Sequence, residues 1–263
     1  MISKYFTKEI KPTLAVVNAG MNAAFADGDV LFDWTAFEIP RGGGKIIGAH
    51  VEIRPKGDSG ATPNKFPLEL YLARNNADHP DNPYDKPTTL GALNDAPANA
   101  GDITQVVDKF IGHIPIVAGD FADSIDPIAI ASTSDTHGII LQQDPDYHNR
   151  GNLGTGTAGT NRFYIAGVAG GALDFRSATL INNGDLDGPT MTVDGTDPRL
   201  HIAPGDTVAV CTDADNTAQK SMGVVSSLTS TSIVLEEAFA IAVVNNDIVY
   251  NQNPIRIVLT FER

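Results

Sequence analysis

Ile255-Arg256-Ile257-Val258-Leu259-Thr260-Phe261-Glu262-Arg263 closes the chain as an alternating run. Ile255, Ile257, Leu259 and Phe261 fall on one face, with Arg256, Val258, Thr260 and Glu262 on the other. That is the period-two pattern of a strand with one buried side, and four large apolar residues on that side place it well inside a sheet. The residues before it have a different texture. From Gly170 to Asn253 the chain is a series of short β-rich runs, Phe175 to Ile181, Thr190 to Val193, Thr207 to Cys211, Gly223 to Ser227, Ser232 to Leu235 and Asp247 to Tyr250, with turn residues between them. Such spacing is the mark of a small barrel or sandwich. The last strand is therefore expected to return to an earlier sheet. Residues 1–169 plus 254–263 then form one β-sandwich domain with an N-terminal arm, and residues 170–253 form an inserted small barrel.

The earlier part supplies that sheet. Strand patterns occur at Leu31 to Ile39, Lys45 to Arg54, Phe66 to Ala73, Ile128 to Ser132, Gly138 to Gln142 and Arg162 to Val168. In the second, Ile47, Ala49, Val51 and Ile53 share one face while Ile46, His50, Glu52 and Arg54 take the other, so His50 is expected to point outward. Leu68, Leu70 and Leu72 alternate with Glu69, Tyr71 and Ala73 in the same way. Only Asp102 to Ile111 resembles a helix, with Asp102 as N-cap and Val106, Val107, Phe110 and Ile111 as its stripe. The connections Pro55 to Asn64, Asn75 to Ala98 and Gln143 to Asn161 are long and polar, and loops of such length in a compact domain tend to bind or to lie against a neighbour.

Composition agrees with an all-β chain. Of 32 carboxylates, 25 are Asp and 7 Glu, and 25 Gly, 16 Pro and 18 Asn add turn formers from end to end. Asp and Asn favour turns over helix interiors. The 263 residues are 42% hydrophobic and 19% charged, which excludes disorder driven by charge. No apolar run approaches the roughly 20 residues of a membrane span. A net charge of −14 opposes binding to nucleic acid. The opening Met1 to Glu9 has no apolar core of a secretory signal. The single Cys211 excludes an intrachain disulfide, and its apparent strand setting beside Val208 and Val210 suggests an inert buried thiol.

No constellation in the chain demands catalysis. Arg41-Gly42-Gly43-Gly44-Lys45 lacks the Walker spacing and leads into a strand, so it reads as a turn. His50, His79, His113, His137, His148 and His201 show no metal-binding spacing, and no GxSxG elbow occurs. Gly184-Asp185-Leu186-Asp187-Gly188-Pro189 and Asp194-Gly195-Thr196-Asp197-Pro198 are weak calcium candidates through Asp185, Asp187, Asp194 and Asp197. Calcium takes such carboxylates, but the EF-hand register is absent and two Asx-turns explain the same residues. No cofactor is expected. Trp34 and Phe37, with Phe32 nearby, read as core in preference to a sugar-stacking platform.

Two resemblances add to this. Gly205-Asp206-Thr207-Val208-Ala209-Val210, Gly223 to Ser227, Ser232 to Leu235 and Asn246 to Tyr250 resemble the small SH3-like or OB-like barrels found as accessory modules in phage structural proteins. In texture the whole chain resembles virion structural proteins of tailed bacteriophages, in particular head-decoration (cement) proteins, most strongly from Phe163-Tyr164-Ile165-Ala166-Gly167-Val168 to Ala203-Pro204-Gly205-Asp206-Thr207-Val208. The resemblance implies a jelly-roll-like β-sandwich, no enzymatic activity, and a place on the outer surface of the capsid. The major capsid protein and the chain's own copies would be its partners, a homotrimer ahead of a dimer. Lys4, Lys8 and Lys11 in the N-terminal arm, with Tyr84 and Tyr147 in the long loops, are the expected capsid contacts. A phage tail or receptor-binding component and a carbohydrate-binding module or carbohydrate-active enzyme stay open as alternatives.

Overall fold

The computed structural model of the chain describes residues 4–14, 21, 23–40, 42–74, 87, 89–97, 110–142, 160–182, 188–211, 219–239 and 243–263. One sheet is built from β1 (Tyr5–Ile10), β15 (Ile255–Glu262), β3 (Gly44–Ile53) and β6 (Ala129–Thr133) in that order, with the short β7 (Ile140–Leu141) also on β3. A second sheet runs β2 (Val30–Pro40), β8 (Thr160–Ala169), β4 (Leu68–Arg74), β5 (Phe110–Ile116). All pairings are antiparallel. With β7 set aside, the first sheet takes the first, last, third and sixth strands in chain order, and the second sheet takes the second, seventh, fourth and fifth. This is the strand order of a jelly roll, two Greek keys folded face to face.

The barrel lies between the seventh and the last of those strands. It closes as β10 (Gly188–Gly195), β13 (Ser232–Phe239), β12 (Gln219–Leu228), β11 (Thr207–Cys211), β14 (Ile248–Asn251) and β9 (Thr179–Ile181). The fold is thus an all-β sandwich with a small barrel inserted before the last strand, as the alternation of residues 255–263 predicts. Ile255, Ile257, Leu259 and Phe261 are all fully buried in the sandwich core.

Three sequence expectations are corrected. Residues 5–10 are not a projecting arm, because they pair with β15 from Tyr5 opposite Glu262 to Ile10 opposite Ile257, and Phe6 stacks on Phe261 at 4.8 Å. The helix expected up to Ile111 fails at its end, where Phe110 and Ile111 open β5; residues 102–109 lie outside the described ones. In β3, Ile46 is the buried residue and Ile47 is not. Opposite Thr260 and Phe261 stand Gly48 and Ile46, so Ile47 is the extra residue of a bulge that flips the face.

The two sheets treat their outer faces differently. On the first, Arg256 bridges Glu52 and Glu9 at 2.8 and 2.7 Å, Lys4 meets Glu262 at 2.7 Å, and His50 faces outward to Ser132 and Glu52. On the second, Val30, Trp34, Ala73, Tyr164, Ala166 and Val168 form an apolar layer covered in part by Leu90. Strand β8 is accordingly apolar on both sides.

The barrel is fused to the sandwich through one of its walls. Along β11, Val208 and Val210 point into the barrel core, whereas Ala209 and Cys211 join the sandwich cluster. Strand β14 divides in the same way, Val249 inward and Tyr250 outward. Alternation with both faces buried is what a strand at the joint of two cores requires.

Candidate functional site

A groove of about 300 Å³ opens where the two terminal strands of the sheets, β1 and β2, run side by side. It is lined by Lys8, Glu9, Ile10, Lys11, Thr35 to Glu38, and Arg162. The burial rhythm of β1 explains it, because Phe6, Lys8 and Ile10 are its more buried residues and Tyr5, Thr7 and Glu9 its exposed ones. Lys8 therefore occupies an inward position on a terminal strand, a placement that discourages unspecific strand pairing. Among the described residues no carboxylate lies in ion-pair range of Lys8. Arg162 donates to Glu38 at 3.0 Å, and Lys11 stands 3.9 Å from the buried Asp206.

The fold thus brings Lys8 and Lys11 together and adds Arg162, which the sequence does not single out. Lys4 is elsewhere, paired with Glu262. Tyr84, Tyr147, Asp185 and Asp187 lie outside the described residues. Asp194 is exposed on β10 opposite Leu180. Asp197 is committed to its own neighbour. Its Oδ1 accepts from the Arg199 backbone at 3.0 Å, and Arg199 Nη2 reaches Oδ2 at 2.6 Å, which holds the carboxyl below its ordinary range. Among the described residues no three His, Cys, Asp or Glu side chains are grouped to hold a metal.

Among the described residues, Phe32, Trp34 and Phe37 are packed away and offer no sugar platform. Phe32 and Phe37 lie in the sandwich core, and Trp34, 5% exposed, packs on Phe110 at 5.6 Å. A row continues from Phe110 through Tyr71 and His113 to His137, whose rings are the exposed end.

Two Ser–His pairs occur among the described residues: on the open outer face of β3, Ser132 Oγ lies 2.9 Å from His50 Nδ1 with Glu52, itself bound by Arg256, 3.4 Å from Nε2, and in the interior Ser177 Oγ lies 3.3 Å from His201 Nε2. His201 Nδ1 is buried with no hydrogen-bond partner, so the orienting carboxylate of a triad is missing. Burial, with the Arg54 charge adding to it, lowers the imidazole to about 4. Gly57 closes over the ring, where a Cβ would stand 2.9 Å from it, and no substrate reaches that face. Cys211 is inert for a related reason: burial, with Asp247 nearby, pushes its thiol up to about 11.

No protein-family model matches the chain, and no curated protein matches it. Among solved structures it is compared with the crystal structure of the STIV MCP, a viral major capsid protein, at 12% identity and a TM-score of 0.15 over 99% of this chain and 96% of that one. A TM-score that low carries no argument about fold or function.

Proposed function

We propose that the chain is a non-enzymatic virion structural protein of a tailed phage, seated on the outer surface of the capsid, where it binds neighbouring major capsid subunits and stabilises the shell. The observation that carries this reading is the groove between β1 and β2. On a molecule of net charge −14, Lys8, Lys11 and Arg162 gather with Glu9 and Glu38 at one edge of a jelly roll. Arg162 pairs with Glu38, Lys11 stands near Asp206 and Arg256 holds Glu9, which leaves Lys8 as the groove's cation with no carboxylate in ion-pair range among the described residues. Local positive charge on an acidic body suits a protein partner that offers carboxylates, and it sets the register and speed of encounter more than the affinity. Fold alone does not assign this role, since jelly rolls also serve lectins and cupins. The carbohydrate alternative finds no support in Trp34 or Phe37, which are both packed away.

The mechanism is mass action. A protein that binds only the mature lattice lowers the free energy of that state by RT ln(1 + [L]/Kd), about 2.7 kcal/mol per site at a hundredfold excess over Kd. The test is Lys8→Glu. Purified protein should co-sediment with capsids of the encoding phage, and Lys8→Glu should weaken attachment at least tenfold with an unchanged melting temperature. Equal attachment of the two proteins would remove the groove from the account.

A further inference from the structure

We propose that the seating of the barrel on the sandwich is an acid-released latch with His201 as its trigger. The two connections into the barrel are stitched to the sandwich, not loose. On the way in, Asn64 Nδ2 donates to the carbonyls of Arg54 and Asp174 at 2.8 and 2.9 Å, and Gly57 exchanges backbone bonds with Arg176 and Ala178. On the way out, Asn253 Nδ2 donates to Pro12 O at 2.9 Å and Thr13 Oγ1 at 3.2 Å, while the Leu14 and Arg54 amides donate to Gln252 O and Pro254 O. Asn251 Nδ2 ties His201 O to Asp206 Oδ2. These bonds are almost all between neutral groups, and pH does not reach them directly.

His201 is the exception. The ring belongs to the barrel, is 3% exposed, and lies against Gly57 of the sandwich and Ser177 of the inbound connection. A proton on it creates a buried charge and a second N–H donor, one for which Nδ1 has no acceptor. The charged groups around it are already engaged. From the loop after β3 come Arg54, Lys56 and Asp58, the last two paired at 3.1 Å. From the inbound connection come Asp174 and Arg176, paired at 2.7 Å; from its own loop come Asp197 and Arg199, paired at 2.6 Å. Asp206 accepts from Ala203 N and Asn251 Nδ2 and lies 3.7 Å from Arg54 and 3.9 Å from Lys11. In the latch a protonated His201 is relieved by lifting the barrel wall away from Gly57, a movement that also unpacks Ala209, Cys211 and Tyr250 from the sandwich core.

The sign follows from linkage. His201 titrates near 4 when seated and near 6.5 when released, so the seated state binds fewer protons between those values and loses stability as the pH falls through them. At pH 4.5 the ratio of seated to released forms drops by about 60-fold relative to pH 7. Burial raises the carboxyl of Asp206, whose protonation favours the seated state in acid and trims that figure.

Cys211 is a ready probe, because its side chain belongs to the packing between barrel wall and sandwich. The experiment measures labelling of the full chain by 4,4′-dithiodipyridine, which reacts in acid, at pH 7 and 4.5. Each rate is divided by that of the urea-unfolded chain at the same pH, with Trp34 emission followed in parallel. The expected result is a loss of protection of tens of fold at pH 4.5 with native Trp34 emission, and no such loss in His201→Gln. Unchanged protection, an equal loss in His201→Gln, or simultaneous loss of Trp34 emission overturns the latch. If His201→Gln does not fold, the His201 ring proton resonance in the unaltered chain decides: a midpoint near 4 tracking the labelling supports the proposal, and a midpoint near 6.5 overturns it.

Discussion

Ending the chain after Asn253 should unfold the sandwich, although the deletion removes only ten residues of 263. Strand β15 lies between β1 and β3, and among the described residues β1 has no other strand partner. Its loss therefore orphans β1 and exposes the edge of β3. Ile255, Ile257, Leu259 and Phe261 are each fully buried. At 1.5–3 kcal/mol per buried side chain they contribute about 6–12 kcal/mol, which is as large as the whole stability of a typical domain, about 5–15 kcal/mol. Trp34, the single tryptophan, sits on the outer layer of the opposite sheet and reports the sandwich alone. The truncated chain should show red-shifted Trp34 emission and no cooperative urea transition. Phe261→Ala should keep the fold and lose about 3–5 kcal/mol, read as a lower urea midpoint at unchanged slope. A truncated chain with native emission and an unchanged midpoint would refute the reasoning, because the last strand would then contribute nothing to the sandwich core.

Two further outcomes follow from the packing and the surface. Gly167→Ala should cost about 1–3 kcal/mol, because its Cβ would enter the ring of buried Phe32; an unchanged thermal midpoint would contradict that packing. Arg256→Ala should cost only about 0.5–1 kcal/mol, since its pairs with Glu9 and Glu52 are partly exposed. That difference should shrink in molar salt, where surface charges are screened.

Most strands were readable from the chain because their periodicity is local. In β15 and β4 every second residue is apolar, and that information needs no knowledge of partners. Two of the misses have local causes too. Lys4, Lys8 and Lys11 make β1 look like a basic tail, although Phe6, Lys8 and Ile10 already alternate. Phe110 and Ile111 look like the end of a helical stripe because Val106 and Val107 precede them at the right spacing, yet they pair with β4. The bulge at Ile47 depends on the register with Thr260 and Phe261, more than two hundred residues away. The groove was half legible, since Lys8 and Lys11 are close in sequence while Arg162 arrives from the opposite sheet. The surroundings of His201 were not legible at all. Its partners come from Gly57, Ser177 and Asn251, and only the closed fold assembles them.

The attachment itself is the most direct test. Purified protein should be titrated onto mature and unexpanded capsids of the encoding phage, and the bound fraction counted after sedimentation. The account predicts saturable binding to the mature shell at a fixed ratio of copies to capsid subunits, with little binding to the unexpanded one. No binding to either shell at concentrations on the order of 10 μM, which corresponds to an affinity weaker than about −7 kcal/mol, would contradict it.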